Sequence, residues 1–229
     1  MQPNEYDDLT SHNIRLATLT NIRWLAILGQ STVLALVAGY FEYPMPVIPC
    51  LILVSMSIIL NIFNTWRFPA IKRIGPPQAF VTLLFDTMQL AALLYLTGGM
   101  TNPFAILLIV PAIISAATLP PRYTASLSLS VAVAASILAY WYLPLPWEAD
   151  SVLNFPLIYI LGMWGAVVSC LLFATFYVYR VAGEARRLSD ALASTEMVIL
   201  REQHLSDLDG MAAAAAHELG TPLATISLV

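Results

Sequence analysis

The chain has 229 residues, 59% hydrophobic and 10% charged, with a mean hydropathy of +0.77, a balance that excludes an ordinary soluble domain and places it in a membrane. Its 10 basic and 14 acidic residues give a net charge of -4 and offer no basic surface for nucleic acid. The two cysteines, Cys50 and Cys170, stand in apolar runs at no metal-ligand spacing, so they read as small buried hydrophobes and no metal site or disulfide framework is expected.

Residues 1–21 are polar and lack the basic, apolar and small-residue succession of a removable signal peptide. They are expected to be a cytoplasmic N-terminal segment ahead of a retained anchor. Crossing the hydrocarbon core takes about 20 mostly apolar helical residues, and six stretches qualify: 22–41, 47–66, 78–97, 103–119, 124–143 and 154–179. The fourth is the shortest. Proline and glycine mark the breaks, at Glu42 to Pro46, Arg67 to Pro77, Gly98 to Pro103, Pro120-Pro121-Arg122 and Pro144 to Asn154. All ten basic residues fall on one side of this arrangement: Arg15 and Arg23 before the first span, Arg67, Lys72 and Arg73 after the second, Arg122 after the fourth, and Arg180, Arg186, Arg187 and Arg201 after the sixth. The opposite loops carry only Glu42, Glu148 and Asp150. Lys and Arg concentrate in short cytoplasmic loops, so the expected fold is all-α: a polytopic six-helix transmembrane domain over 22–180, both termini cytoplasmic. Polar residues inside spans are costly, and Gln30, Asn61, Asn64, Asp86 and Gln89 are the ones to account for; Asp86 is expected to face the bundle, protonated or paired.

After Arg180 the composition turns charged and rich in alanine and leucine, with no proline before Pro222. Leu188, Leu192, Thr195 and Ile199, then Leu205, Leu208 and Met211, recur at steps near three and four, the pattern of a coiled-coil seam interrupted at Glu202. A linker helix over 181–210 in a parallel homodimer follows, leading into a truncated dimerisation and histidine-phosphotransfer helix over 211–229. In that last stretch His217 is the candidate phosphoacceptor, since an imidazole is neutral near pH 7 and nucleophilic. Glu218 beside it orients the ring or accepts its proton. Thr221, one turn on, shares its face and can hold a water for the reverse hydrolysis. Pro222 is expected to bend or loosen the helix there.

The string Ala216-His217-Glu218-Leu219-Gly220-Thr221-Pro222-Leu223 resembles the phosphoacceptor box of sensor histidine kinases, in the variant of the RegB/PrrB family of redox-sensing kinases. A second motif upstream, Gly98-Gly99-Met100-Thr101-Asn102-Pro103-Phe104, is similar to that family's Gly-Gly-x-x-Asn-Pro-Phe loop, and Arg23 to Gln30 looks like its first span. The resemblance implies ubiquinone sensing at Gly98, Gly99, Asn102, Pro103 and Phe104, control of His217 through the linker helix, and transfer of phosphate to a cytoplasmic response regulator. The residues of the loop also suit a plain turn: Gly98 and Gly99 end one helix in left-handed conformations, Asn102 caps the next and Pro103 takes its first position. A ligand role would add an Asn102 amide donor and the aromatic surfaces of Phe104 and Tyr95. Trp141 and Trp147 belong on the same side.

Neither a P-loop nor the asparagine- and glycine-rich boxes of a kinase ATPase occur here, so ATP would act only through a kinase domain outside this stretch and the chain alone is not expected to autophosphorylate. The alternative reading is a small polytopic transporter or quinone-interacting subunit with an incidental cytoplasmic helix, which inverted repeats or helices broken in mid-membrane would favour.

Overall fold

The structure, a computed structural model, describes the backbone of residues 14–67, 73–147 and 153–226, and the side chains of 20–66, 75–147, 153–206 and 208–211. Apart from one two-residue antiparallel ladder, β1 (Ile14–Arg15) with β2 (Arg73–Ile74), the described elements are helical. Two compact units result, Met1–Arg180 and Val181–Val229.

In the first unit, α1 (Leu16–Ala35) runs on as a π-turn through Leu36–Tyr40 and stops at Glu42, which has a positive φ of 53° just ahead of Pro44 and Pro46. Then come α2 (Val47–Arg67) and α3 (Pro76–Leu96), the latter opening with Pro76 and Pro77 in its first turn, where missing amide hydrogens cost nothing. The fourth apolar segment is a 3₁₀ stretch, Pro103–Ile109, continued by α4 (Val110–Thr118). Sixteen residues are short for a span. The 3₁₀ rise of about 2.0 Å and the α rise of about 1.5 Å nevertheless carry the segment on the order of 27 Å, close to a hydrocarbon core of about 30 Å. Helix α5 (Pro121–Tyr140) follows directly.

Among the described residues five helices are long and apolar enough to cross a membrane, and Pro103–Thr118 is a shorter sixth. Many large apolar side chains point outward, Leu25, Ile48 and Phe173 each more than 70% exposed, as lipid contact requires. Lipid tails remove the hydrophobic drive between helices, so packing and polar contacts hold the bundle instead. Fully buried Ala112 and Ala116 on α4 and Ala135 on α5 allow close approach. Helix α3 packs against α2, α4 and α5, and a cluster around Met100, Leu108, Val131 and Leu138 forms the main core.

Helix α6 runs from Leu157 to Ile226, 70 residues. Within the membrane unit it buries Ile160, Val167 and Leu171 against that core, and Trp164 Nε1 donates to Ser136 Oγ at 3.0 Å. Some sequence expectations change. The third and fifth spans begin at Pro76 and Pro121 rather than at 78 and 124, because proline is accommodated at a helix start. Arg23 is no flanking charge: it lies inside α1, 6% exposed.

Candidate functional site

Three loops meet at one end of the membrane unit. Tyr43 and Trp147 rings lie 5.7 Å apart, Leu143 N donates to Tyr95 O at 2.8 Å, and the Gly98–Gly99 turn abuts Tyr142 and Leu145. Gly98 and Gly99 have φ of 115° and 57°. Side chains there would also collide: a Cβ on Gly98 would sit 2.6 Å from Leu145 Cδ1, and one on Gly99 2.6 Å from the Leu138 carbonyl oxygen. Backbone conformation and close approach both demand glycine.

Asn102 organises the rest of the turn. Its Oδ1 accepts from Phe104 N at 2.9 Å, the N-cap bond of the segment that begins at Pro103. Its Nδ2 donates to Thr97 O at 2.8 Å and to Thr97 Oγ1 at 2.9 Å. Both amide hydrogens are therefore committed inside the loop, and the residue is 8% exposed. Thr97 Oγ1 donates in turn to Leu93 O, and Thr101 Oγ1 to Gly98 O. What the loop presents outward is Pro103 and Phe104, with Tyr95 similarly exposed. Sequence reasoning placed Asn102 as cap and as donor; the cap bond is there, and the donors go to Thr97, which local pattern did not flag.

A second constellation joins α1 to α3. Arg23 Nη2 sits 2.9 Å from Asp86 Oδ2 and 3.3 Å from Thr82 O. Further along, Gln30 and Gln89 exchange amide hydrogen bonds of 3.0 and 3.4 Å. Asn61 Nδ2 donates to Thr20 O at 3.2 Å. Asp86 is thus paired, and four of the polar residues singled out in the spans serve interhelical bonding. Among the described residues no group of three or more His, Cys, Asp or Glu is placed to hold a metal.

His217, Glu218 and Thr221 belong to α6, whose backbone is helical there, while their side chains lie outside the described residues. Glu148 and Asp150, two of the three acidic loop residues, also lie outside them.

The chain matches the PilS-like transmembrane domain over residues 6–196, nearly all of the membrane unit and the start of the helix beyond it. It belongs to the PilS-like transmembrane domain family. Two relatives, both described as sensor histidine kinase RegB, are similar to this PilS-like chain. One, from Cereibacter sphaeroides, is 45% identical over 215 residues, 94% of this chain and 46% of the relative. The other, from Cereibacter sphaeroides strain ATCC 17023, is 45% identical over 216 residues, 94% of this chain and 47% of the relative. The chain spans about half the length of the curated relatives it matches. No solved structure matches it.

Proposed function

We propose that this chain is the membrane sensor portion of a redox-responsive histidine kinase of an inner membrane. In this reading the quinone pool biases the bundle, the bias passes along α6, and His217 receives a phosphoryl group from a kinase domain and passes it to an aspartate of a response regulator. The observation that carries the reading is the 45% identity to sensor histidine kinases over 94% of the chain, a stretch that includes a multi-span bundle. The unbroken course of α6 supports it further, since the element buried at Ile160, Val167 and Leu171 also bears the histidine.

At the far end, ubiquinone would lie against Phe104 and Tyr95, with Gly98, Gly99, Asn102 and Pro103 holding the surface in shape. The quinone changes the output only by binding two helix arrangements with different affinity. Glu218 would orient His217 and Thr221 would hold the hydrolytic water. The working unit is a homodimer, and ATP enters only through the kinase domain.

The test uses the chain joined to an ATP-binding kinase domain in proteoliposomes loaded with ubiquinone or ubiquinol. Labelled phosphate should appear on the parent and not on His217→Gln, and the two quinone states should differ in labelling rate by about fivefold or more. Labelling of His217→Gln would remove the phosphoacceptor assignment. Identical rates in the two quinone states would remove the sensing assignment alone.

A further inference from the structure

Hydroxyl side chains on these helices share a habit. Thr32, Thr82, Thr87, Ser126 and Ser136 each donate to the carbonyl four residues back, at 2.8 to 2.9 Å. Ser128 Oγ on α5 and Thr175 Oγ1 on α6 do not: both atoms are buried and have no hydrogen-bond partner. The two residues line one groove of about 250 Å³ between the two helices, walled by Pro121, Ala125, Leu171 and Tyr179. An unpaired buried hydroxyl is costly, and hydrocarbon supplies no water to relieve it. Two of them in one groove call for an occupant that brings oxygen acceptors.

Depth indicates which occupant. Ser128 lies seven residues beyond Pro121, about 10 Å along α5, and Thr175 five residues before Arg180, about 8 Å along α6. At that end of the two helices stand Arg122 and Arg180, both exposed, with the Arg122 guanidinium 5.0 Å over the Tyr123 ring. Along the membrane normal the order is cations, then hydroxyl donors, then apolar wall. A glycerophospholipid presents the complementary order of phosphate, ester oxygens and acyl chain, and basic residues at interhelical pockets recognise anionic head groups.

We propose that the α5–α6 groove binds an anionic glycerophospholipid, whose ester oxygens accept from Ser128 and Thr175 and whose phosphate pairs with Arg122 and Arg180. The site is separate from the Gly98 to Phe104 loop and does not depend on quinone binding there.

The experiment titrates the delipidated 229-residue chain in detergent with phosphatidylglycerol, phosphatidylcholine or ubiquinone, reading affinity by native mass spectrometry and stability by thermal unfolding. Phosphatidylglycerol should bind and raise the unfolding temperature, with phosphatidylcholine about tenfold weaker. The double variant Ser128→Ala with Thr175→Ala should lose about tenfold in phosphatidylglycerol affinity. Without lipid it should unfold no lower than the parent, because it discards two hydroxyls that have no partner. Ala125→Trp, which fills the groove, should abolish the lipid-dependent shift, and Arg122→Gln with Arg180→Gln should erase the preference for phosphatidylglycerol. Parent-like affinity in the double alanine variant overturns the proposal. So does equal binding of the two phospholipids by the parent, or loss of ubiquinone rather than phosphatidylglycerol on filling the groove.

Discussion

Asn102 combines two roles that substitution can separate. Serine keeps a short acceptor for Phe104 N but loses the amide donors to Thr97, whereas alanine loses both. Asn102→Ser is expected to destabilise the chain by about 1 kcal/mol and Asn102→Ala by about 2 kcal/mol. Unfolding in detergent followed by circular dichroism measures both, and equal losses would mean that the cap bond to Phe104 N contributes nothing. Arg23 and Asp86 form the other informative pair. Asp86→Ala leaves Arg23 buried without its carboxylate and should cost about 2 to 3 kcal/mol, discounted from a fully buried pair because the Asp86 side chain is 26% exposed. Removing both charges, Arg23→Leu with Asp86→Leu, should recover at least half of that loss. A double variant as unstable as Asp86→Ala would show that the charges matter individually and not as a pair. Sequence reasoning found the loop because Gly-Gly and Asn-Pro are local turn signals. It missed Arg23 because a cation near a span end looks like a flanking charge until its partner, 63 residues away, is known.

At the scale of elements, the spans were legible because an uncharged run of about 20 apolar residues is the length that a helix needs to cross hydrocarbon. Boundaries moved where proline could begin a helix, at Pro76 and Pro121. The 3₁₀ winding of Pro103–Ile109 was not legible, since its composition is as apolar as that of an α-helix and only its length hinted at a different rise. Beyond Arg180, the seam residues Leu188, Leu192, Ile199, Leu205 and Leu208 are each about half exposed or more in the single chain. An apolar stripe on a helix outside the membrane unit needs a partner surface, and a second copy would offer the same stripe in register. Leu192→Asp with Ile199→Asp is therefore expected to shift the detergent-solubilised chain from dimer to monomer in sedimentation, leaving helix content in the membrane unit unchanged. A dimer that survives both substitutions would place the contact elsewhere.

For the whole molecule, the geometry reduces membrane orientation to one binary choice. The Tyr43–Trp147 ring contact, the Leu143 to Tyr95 hydrogen bond and the packing of Gly98 on Leu145 put the loops after α1, α3 and α5 at one end. The ladder of Ile14 with Ile74 ties the N-terminal side of α1 to the connection between α2 and α3. The loops therefore cannot be assigned sides independently. Charge then selects between two orientations: setting aside Arg23, which is spent on Asp86, the nine remaining basic residues lie outside the three clustered loops. Basic flanks near span ends stay in the cytoplasm, so reporters that are active only after export should be active when fused at Tyr43, Met100 and Leu145. The same reporters should be silent at Gly75, Arg122 and Arg187. Agreement among the first three fusions tests the bundle geometry, and their common sign tests the charge argument. A split result within either trio would break the loop clustering, whereas a uniform reversal would leave the fold intact and place His217 on the side that lacks ATP, removing the kinase reading.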